Sequence, residues 1–144
     1  DTKCNTDAAK PNGSTYNAMI RTNSGRKPCN GVSLCSGLNG SQAIGWVLQS
    51  GVQYRTADGI TIIGTANNDL IIPLPLTNSI STSSEAWTGI DDDWRQTGIT
   101  PNCSNWGAAT GNGTISDLTK KNSDAINSGN SGCPTSRKLI CVEQ

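Results

Sequence analysis

Apolar residues fall in short islands along the chain, separated by stretches rich in Gly, Asn, Ser and Thr. Thr15-Tyr16-Asn17-Ala18-Met19-Ile20-Arg21 reads as a strand, as do Gly45-Trp46-Val47-Leu48-Gln49, Val52-Gln53-Tyr54-Arg55 and Ile60-Thr61-Ile62-Ile63. The last two are joined around Asp58-Gly59, a favoured hairpin dipeptide. Lys138 to Val142 reads as a closing strand. Lys3 to Lys10 predicts a short helix that stops before Pro11 and the Asn12-Gly13 turn. Cys29 to Gly40 is a turn-rich loop, tightest at Asn30-Gly31 and Asn39-Gly40. Asp69 to Ile80 carries Pro73 and Pro75, whose missing N–H groups fall on the same edge of any strand, so this segment is an edge strand or an extended surface segment. No repeat, heptad or long linker breaks the pattern, and residues 1–144 read as a single domain of α+β class, strand- and loop-rich with one or two short helices.

Composition narrows the means of stabilisation. Only 33% of the 144 residues are hydrophobic and 4% aromatic, with no Phe, so the core is small and covalent staples matter. There are six cysteines, Cys4, Cys29, Cys35, Cys103, Cys133 and Cys141, with no paired C-x-x-C spacing and no His to complete a mixed zinc site. That predicts disulfides, an oxidising compartment and no metal or other cofactor. The chain starts at Asp1 without Met, which predicts that a leader or longer N-terminal region is removed. No apolar run approaches the roughly 20 residues of a membrane-spanning helix, so a transmembrane segment is not expected in this chain.

Net charge is zero, which argues against a nucleic-acid partner. Its distribution is uneven. Residues 1–57 hold six basic groups (Lys3, Lys10, Arg21, Arg26, Lys27, Arg55) against Asp1 and Asp7, giving +4. Residues 58–117 hold Arg95 against seven acids, giving −6, and residues 118–144 hold Lys120, Lys121, Arg137 and Lys138 against Asp124 and Glu143, giving +2. Both ends are basic and the middle is acidic.

An enzyme is not expected. Without His the usual general base of Ser and Cys hydrolases is missing, and oxidised cysteines are not nucleophiles. Asp91-Asp92-Asp93 is the one run of carboxylates, and a solvated acidic loop is a simpler reading of it than a catalytic site; a calcium ion there would need further ligands. Trp46, Trp87 and Trp106 are assigned to the core. Trp94, between three aspartates and Arg95, is divided between core and a rim position where it would anchor a partner. The four Asn-x-Ser/Thr triplets, at Asn12, Asn39, Asn102 and Asn112, are read as turn residues.

Ala86-Trp87-Thr88-Gly89-Ile90, Cys103-Ser104-Asn105-Trp106 and, after Cys133, the closing Leu139-Ile140-Cys141-Val142-Glu143 resemble the W-x-G and I-C-x-E strands of C-type-lectin-like domains. Cys4-Asn5-Thr6-Asp7-Ala8-Ala9 running into Gly13-Ser14-Thr15-Tyr16-Asn17-Ala18-Met19-Ile20 resembles the endostatin branch. Trp46-Val47-Leu48, Tyr54-Arg55, Asp58-Gly59, Ile62-Ile63-Gly64-Thr65, Pro75 to Ile80 and Trp87-Thr88-Gly89 are similar to the leptospiral endostatin-like surface lipoprotein family. This resemblance implies a C-type-lectin-like, endostatin-like fold with the pairs Cys4–Cys141, Cys29–Cys35 and Cys103–Cys133. The first pair would join the basic ends into a face of Lys3, Lys10, Arg137 and Lys138 opposite the acidic middle. The calcium-binding triplets of sugar-binding lectins and the zinc histidines of endostatin are absent.

The resemblance implies an exported, extracellular or outer-cell-surface adhesion module, non-catalytic, contacting protein or polyanionic extracellular ligands, with Lys3, Lys10, Arg137, Lys138, Trp94 and Arg95 as candidate ligand-binding residues. The alternative is self-association as a structural subunit of a surface filament, sheath or coat. A neutral chain with basic and acidic regions suits head-to-tail packing.

Overall fold

A computed structural model describes residues 1–11, 13–29, 35, 37–83, 85–94 and 101–144. The Asn12-Gly13 and Asn30-Gly31 turns, the sequon at Asn12 and the candidate contact Arg95 therefore lie wholly or partly outside the described residues. The fold is strand-rich with two short helices. They are α1 (Thr2–Thr6) and α2 (Cys103–Trp106). The strands are β1 (Tyr16–Ala18), β2 (Gln53–Arg55), β3 (Ile62–Thr65), β4 (Glu85–Trp87), β5 (Asn112–Asp117), β6 (Gly129–Gly132), β7 (Lys138–Leu139) and β8 (Cys141–Glu143).

These strands form three small sheets. Antiparallel β1 and β8 join the two ends of the chain, β2 and β3 form an antiparallel hairpin, and a four-stranded sheet runs in the order β6-β5-β4-β7. In that sheet β4 and β7 are parallel, with Ala86 opposite Lys138 and Trp87 opposite Leu139. Three disulfides join Cys4 to Cys141, Cys29 to Cys35 and Cys103 to Cys133. These are the partners that the resemblance implies. The first closes a sequence separation of 137 residues and carries α1 onto the last strand.

The main core gathers Met19, Val47, Leu48, Ile63, Ile72, Ile90, Trp94 and Val142. Two satellite clusters surround the outer disulfides: Cys4 with Tyr16 and Ala18, and Cys103 with Trp87 and Ile115. Several expected elements change form. The opening helix ends at Thr6, because Asp7 is extended and its carboxylate accepts from the Ala9 N–H in a local turn. Beyond β1 the segment to Arg21 changes partners, Met19 N–H donating to the Ile140 carbonyl and Arg21 N–H to that of Thr88. Gly45–Gln49 is not a strand. Val47 and Leu48 are both buried, and the local backbone bonds to side chains in place of a ladder, with Gln49 N–H on the Tyr54 hydroxyl and the Val47 carbonyl on Gln144 Nε2. Asp69–Ile80 is not an edge strand, and Pro73, Pro75, Thr77 and Asn78 lie exposed at the surface. It threads Ile71, Ile72 and Leu76 inward while Leu76 N–H donates to the Lys121 carbonyl and Thr77 N–H to that of Ile63.

Three carboxylates tie the turns. Asp58 accepts from the Thr56 and Thr61 hydroxyls and from the Ile60 and Thr61 amides. Asp69 takes the Gly37 and Asn39 amides, and Asp117 takes the hydroxyl and amide of Thr119. These hydrogen bonds favour the charged form and lower all three carboxyls below their ordinary value of 3.8. A lowered folded pKa contributes stability above the unfolded value, and that stability is lost as pH falls through the folded one. Thermal melts should therefore show a steep loss of stability below about pH 4, and Asp69→Asn should flatten that loss. A melting temperature independent of pH between 7 and 2 would contradict this.

Candidate ligand-binding cleft

The residues of α2 carry the clearest backbone strain. Cys103, Ser104, Asn105 and Trp106 have φ of 52, 53, 63 and 64°, a run of left-handed residues without a glycine. Such a conformation costs about 1–2 kcal/mol per residue for ordinary side chains, less for Asn. It persists because its surroundings hold it. Cys103 is bonded to Cys133, Asn102 Oδ1 accepts from Asn105 N–H at 3.0 Å, and Trp106 N–H donates to the Asn102 carbonyl at 2.7 Å. Asn23 joins in through its N–H on Asn105 Oδ1 and its Oδ1 on Asn102 Nδ2. The indole Nε1 of Trp106 donates to the Arg21 carbonyl at 2.7 Å.

The turn sets the Trp106 ring against Trp87, centroids 5.7 Å apart and planes tilted by 58°. Two glycines make room. A Cβ on Gly113 would lie 2.8 Å from the Trp87 ring and 2.9 Å from Cys103 Sγ, and one on Gly89 would lie 2.9 Å from the Trp106 ring. Beside the pair opens a cleft of about 420 Å³, lined by both indoles, the Cys103–Cys133 disulfide, the wall Pro134 to Arg137, and Lys3. Arg137 forms an ion pair with Glu85 and donates from Nη2 to Ser131 Oγ at 2.9 Å, while its buried Nε has no partner among the described residues.

The candidate residues separate. Lys3 and Arg137 meet at this cleft, brought together by the Cys4–Cys141 bond and the pairing of β7 with β4. Lys10 and Lys138 line a different cavity, which shares Leu139 with this one. The expected single basic face is thus divided. Nor is it opposite the acidic middle, since the parallel pairing of β4 and β7 brings Glu85 of that middle segment against Arg137. Trp94 is not a rim anchor. It is 3% exposed, with a φ of 68° that accompanies its inward placement, and packs edge-on against Trp46 with centroids 6.5 Å apart. Asp91 accepts from Asn127 Nδ2 at 3.1 Å, and among the described residues no group of three His, Cys, Asp or Glu is placed to hold a metal ion.

Trp106, expected in the core, is half-buried on the cleft wall. Arg21, one of the six basic groups of residues 1–57, is not at the surface. Arg21 is 2% exposed, its Nε and Nη1 have no hydrogen-bond partner among the described residues, and burial lowers its pKa. Asn105, the one Asn among the four left-handed residues, is the sequence signal for the strained turn, since Asn tolerates left-handed backbone better than other side chains do.

A family model described as a protein of unknown function (DUF1554) matches residues 1–123. The chain belongs to the DUF1554 family. No curated protein matches it, and no solved structure does. The DUF1554 match takes in Lys3, Trp87 and the strained turn, while Cys133, Arg137 and Cys141 lie beyond it. Cleft and terminal clamp therefore each unite matched residues with partners outside the matched span.

Proposed function

We propose that this is an exported, non-catalytic binding module of the endostatin-like, C-type-lectin-like type, and that it contacts a polyanionic extracellular macromolecule at the Trp87–Trp106 cleft. The observation that carries this reading is the left-handed turn of α2, which keeps an aromatic wall beside Lys3 and Arg137. Non-glycine strain maintained by a disulfide and side-chain hydrogen bonds is found where function needs a fixed geometry. Aromatic faces give apolar contact at low entropic cost, and guanidinium and ammonium groups meet anionic oxygens through charge-assisted hydrogen bonds. Three disulfides, together with no membrane-spanning helix among the described residues, are compatible with an extracellular setting.

Dextran sulfate serves as a test polyanion. Lys3→Ala with Arg137→Ala should weaken its binding about tenfold, roughly 1.4 kcal/mol, and reduce the salt dependence. Glu85→Gln should strengthen it, because the competing carboxylate is removed from Arg137. Unchanged affinity in the double variant, with the fold intact, would refute the cleft as the binding site.

A further inference from the structure

A second cavity, also of about 420 Å³, shares only Leu139 with the cleft among their lining residues. Its depth is apolar. Met19, Leu48, Ile63, Ile72, Leu76 and Trp94 line it and are all buried. The charged lining residues among those described are Asp7, Lys10, Arg55 and Lys138, none of them buried, so the charge gathers at the opening and sums to +2. Among the described residues Lys10 and Lys138 have neutral partners. The Lys10 ammonium stands 5.8 Å over the Tyr16 ring, and Lys138 Nζ donates to the Ser83 hydroxyl. Both ammonium charges are thus uncompensated by a carboxylate. The interior offers one polar group of note, the Trp94 indole Nε1, a buried donor with no partner among the described residues. A neutral donor cannot neutralise a carboxylate, so an anionic group is better held at the opening than inside.

An apolar pocket of this size with few polar groups falls in the roughly 300–1,000 Å³ range of small-molecule sites. Its division into an oily depth and a cationic opening selects a molecule divided in the same way. We propose that this cavity binds a monomeric single-chain amphiphile with an anionic head, of which a fatty-acid anion is the simplest case. The hydrocarbon tail enters between Leu48, Ile72 and Leu76, and the carboxylate stays between Lys10 and Lys138. This activity is separate from the Trp87–Trp106 cleft and does not depend on it, because the two openings use different cations.

Calorimetric titration of the disulfide-intact protein with octanoate, decanoate and dodecanoate, each below its micelle threshold, tests it. Each buried methylene should tighten binding about fourfold, so two added carbons should give about fifteenfold. Dodecyltrimethylammonium, with the same tail and a cationic head, should bind at least tenfold more weakly than dodecanoate. Lys10→Glu with Lys138→Glu should reverse that order, and a near-ultraviolet circular dichroism spectrum like the parent's would show that the fold under half-buried Lys10 and exposed Lys138 is kept. Ile80→Trp should block the half-buried wall of the cavity and abolish dodecanoate binding, while dextran sulfate binding continues. Affinity independent of chain length, equal binding of both head groups, or binding only to phospholipid vesicles and not to monomeric dodecanoate would each overturn the inference.

Discussion

Replacing Cys4 and Cys141 together with serine should cost this protein about 4–5 kcal/mol and lower its melting temperature by about 10–20 °C. The sequence separation of 137 residues is what makes the figure large. In the chain-entropy account a crosslink acts by restricting the unfolded chain, and the restriction grows with the logarithm of the loop. A domain of this size has about 5–15 kcal/mol in total, so the loss is a large share. The Cys29–Cys35 bond closes only 6 residues, and its serine pair should cost about half as much. The functional consequence is separate from the thermal one. Lys3 stands next to Cys4, and Arg137 four positions before Cys141. Without the clamp α1 is held mainly by Asn5, through its bonds to the Tyr16 backbone, and by Asp1, which pairs with Arg26. Dextran sulfate binding should therefore weaken well below the melting temperature. Equal melting losses for the two serine pairs would contradict the ranking.

Gly113→Ala is expected to damage both stability and the cleft. The added methyl would meet the Trp87 ring at 2.8 Å and Cys103 Sγ at 2.9 Å, and neither an indole nor a bonded sulfur can retreat easily. Overpacking of this kind costs about 1–3 kcal/mol, more than the about 0.4–1 kcal/mol gained by restricting the unfolded chain. Gly132 on the neighbouring strand is the control. A Cβ there has only Pro134 Cδ within reach, at an ordinary 3.7 Å. Gly132→Ala should melt within a degree or two of the parent, whereas Gly113→Ala should melt several degrees lower and bind dextran sulfate less tightly. Identical melting of the two variants would show that Trp87 and the disulfide are not packed as described.

The residues that misled the sequence reading share a cause. β5 runs Asn-Gly-Thr-Ile-Ser-Asp and β6 Gly-Asn-Ser-Gly, compositions that signal turns, yet they form one flank of the largest sheet. Thr114 and Ser116 are almost fully buried, satisfied by hydroxyl bonds to the Pro101 and Ala86 carbonyls. Burial on both faces removes the alternation that reveals a strand. The hairpin of β2 and β3 was legible because Tyr54, Ile62 and Ile63 flank a strong turn dipeptide. Lys3 and Arg137 were legible as candidates, but that they line one cavity while Lys10 and Lys138 line another is set by tertiary contacts and not by spacing along the chain. Trp94 was ambiguous because flanking charges describe the backbone's neighbours, not the direction of its ring.

The clamp that sets Lys3 beside Arg137 is tested most directly by a mass-spectrometric disulfide map of the native protein, digested without reduction. The account predicts Cys4 peptides linked to Cys141 peptides and no alkylatable thiol. Free thiols, or Cys4 linked to any other cysteine, would contradict it, because the two ends would then not meet and the cleft would lack half of its charge.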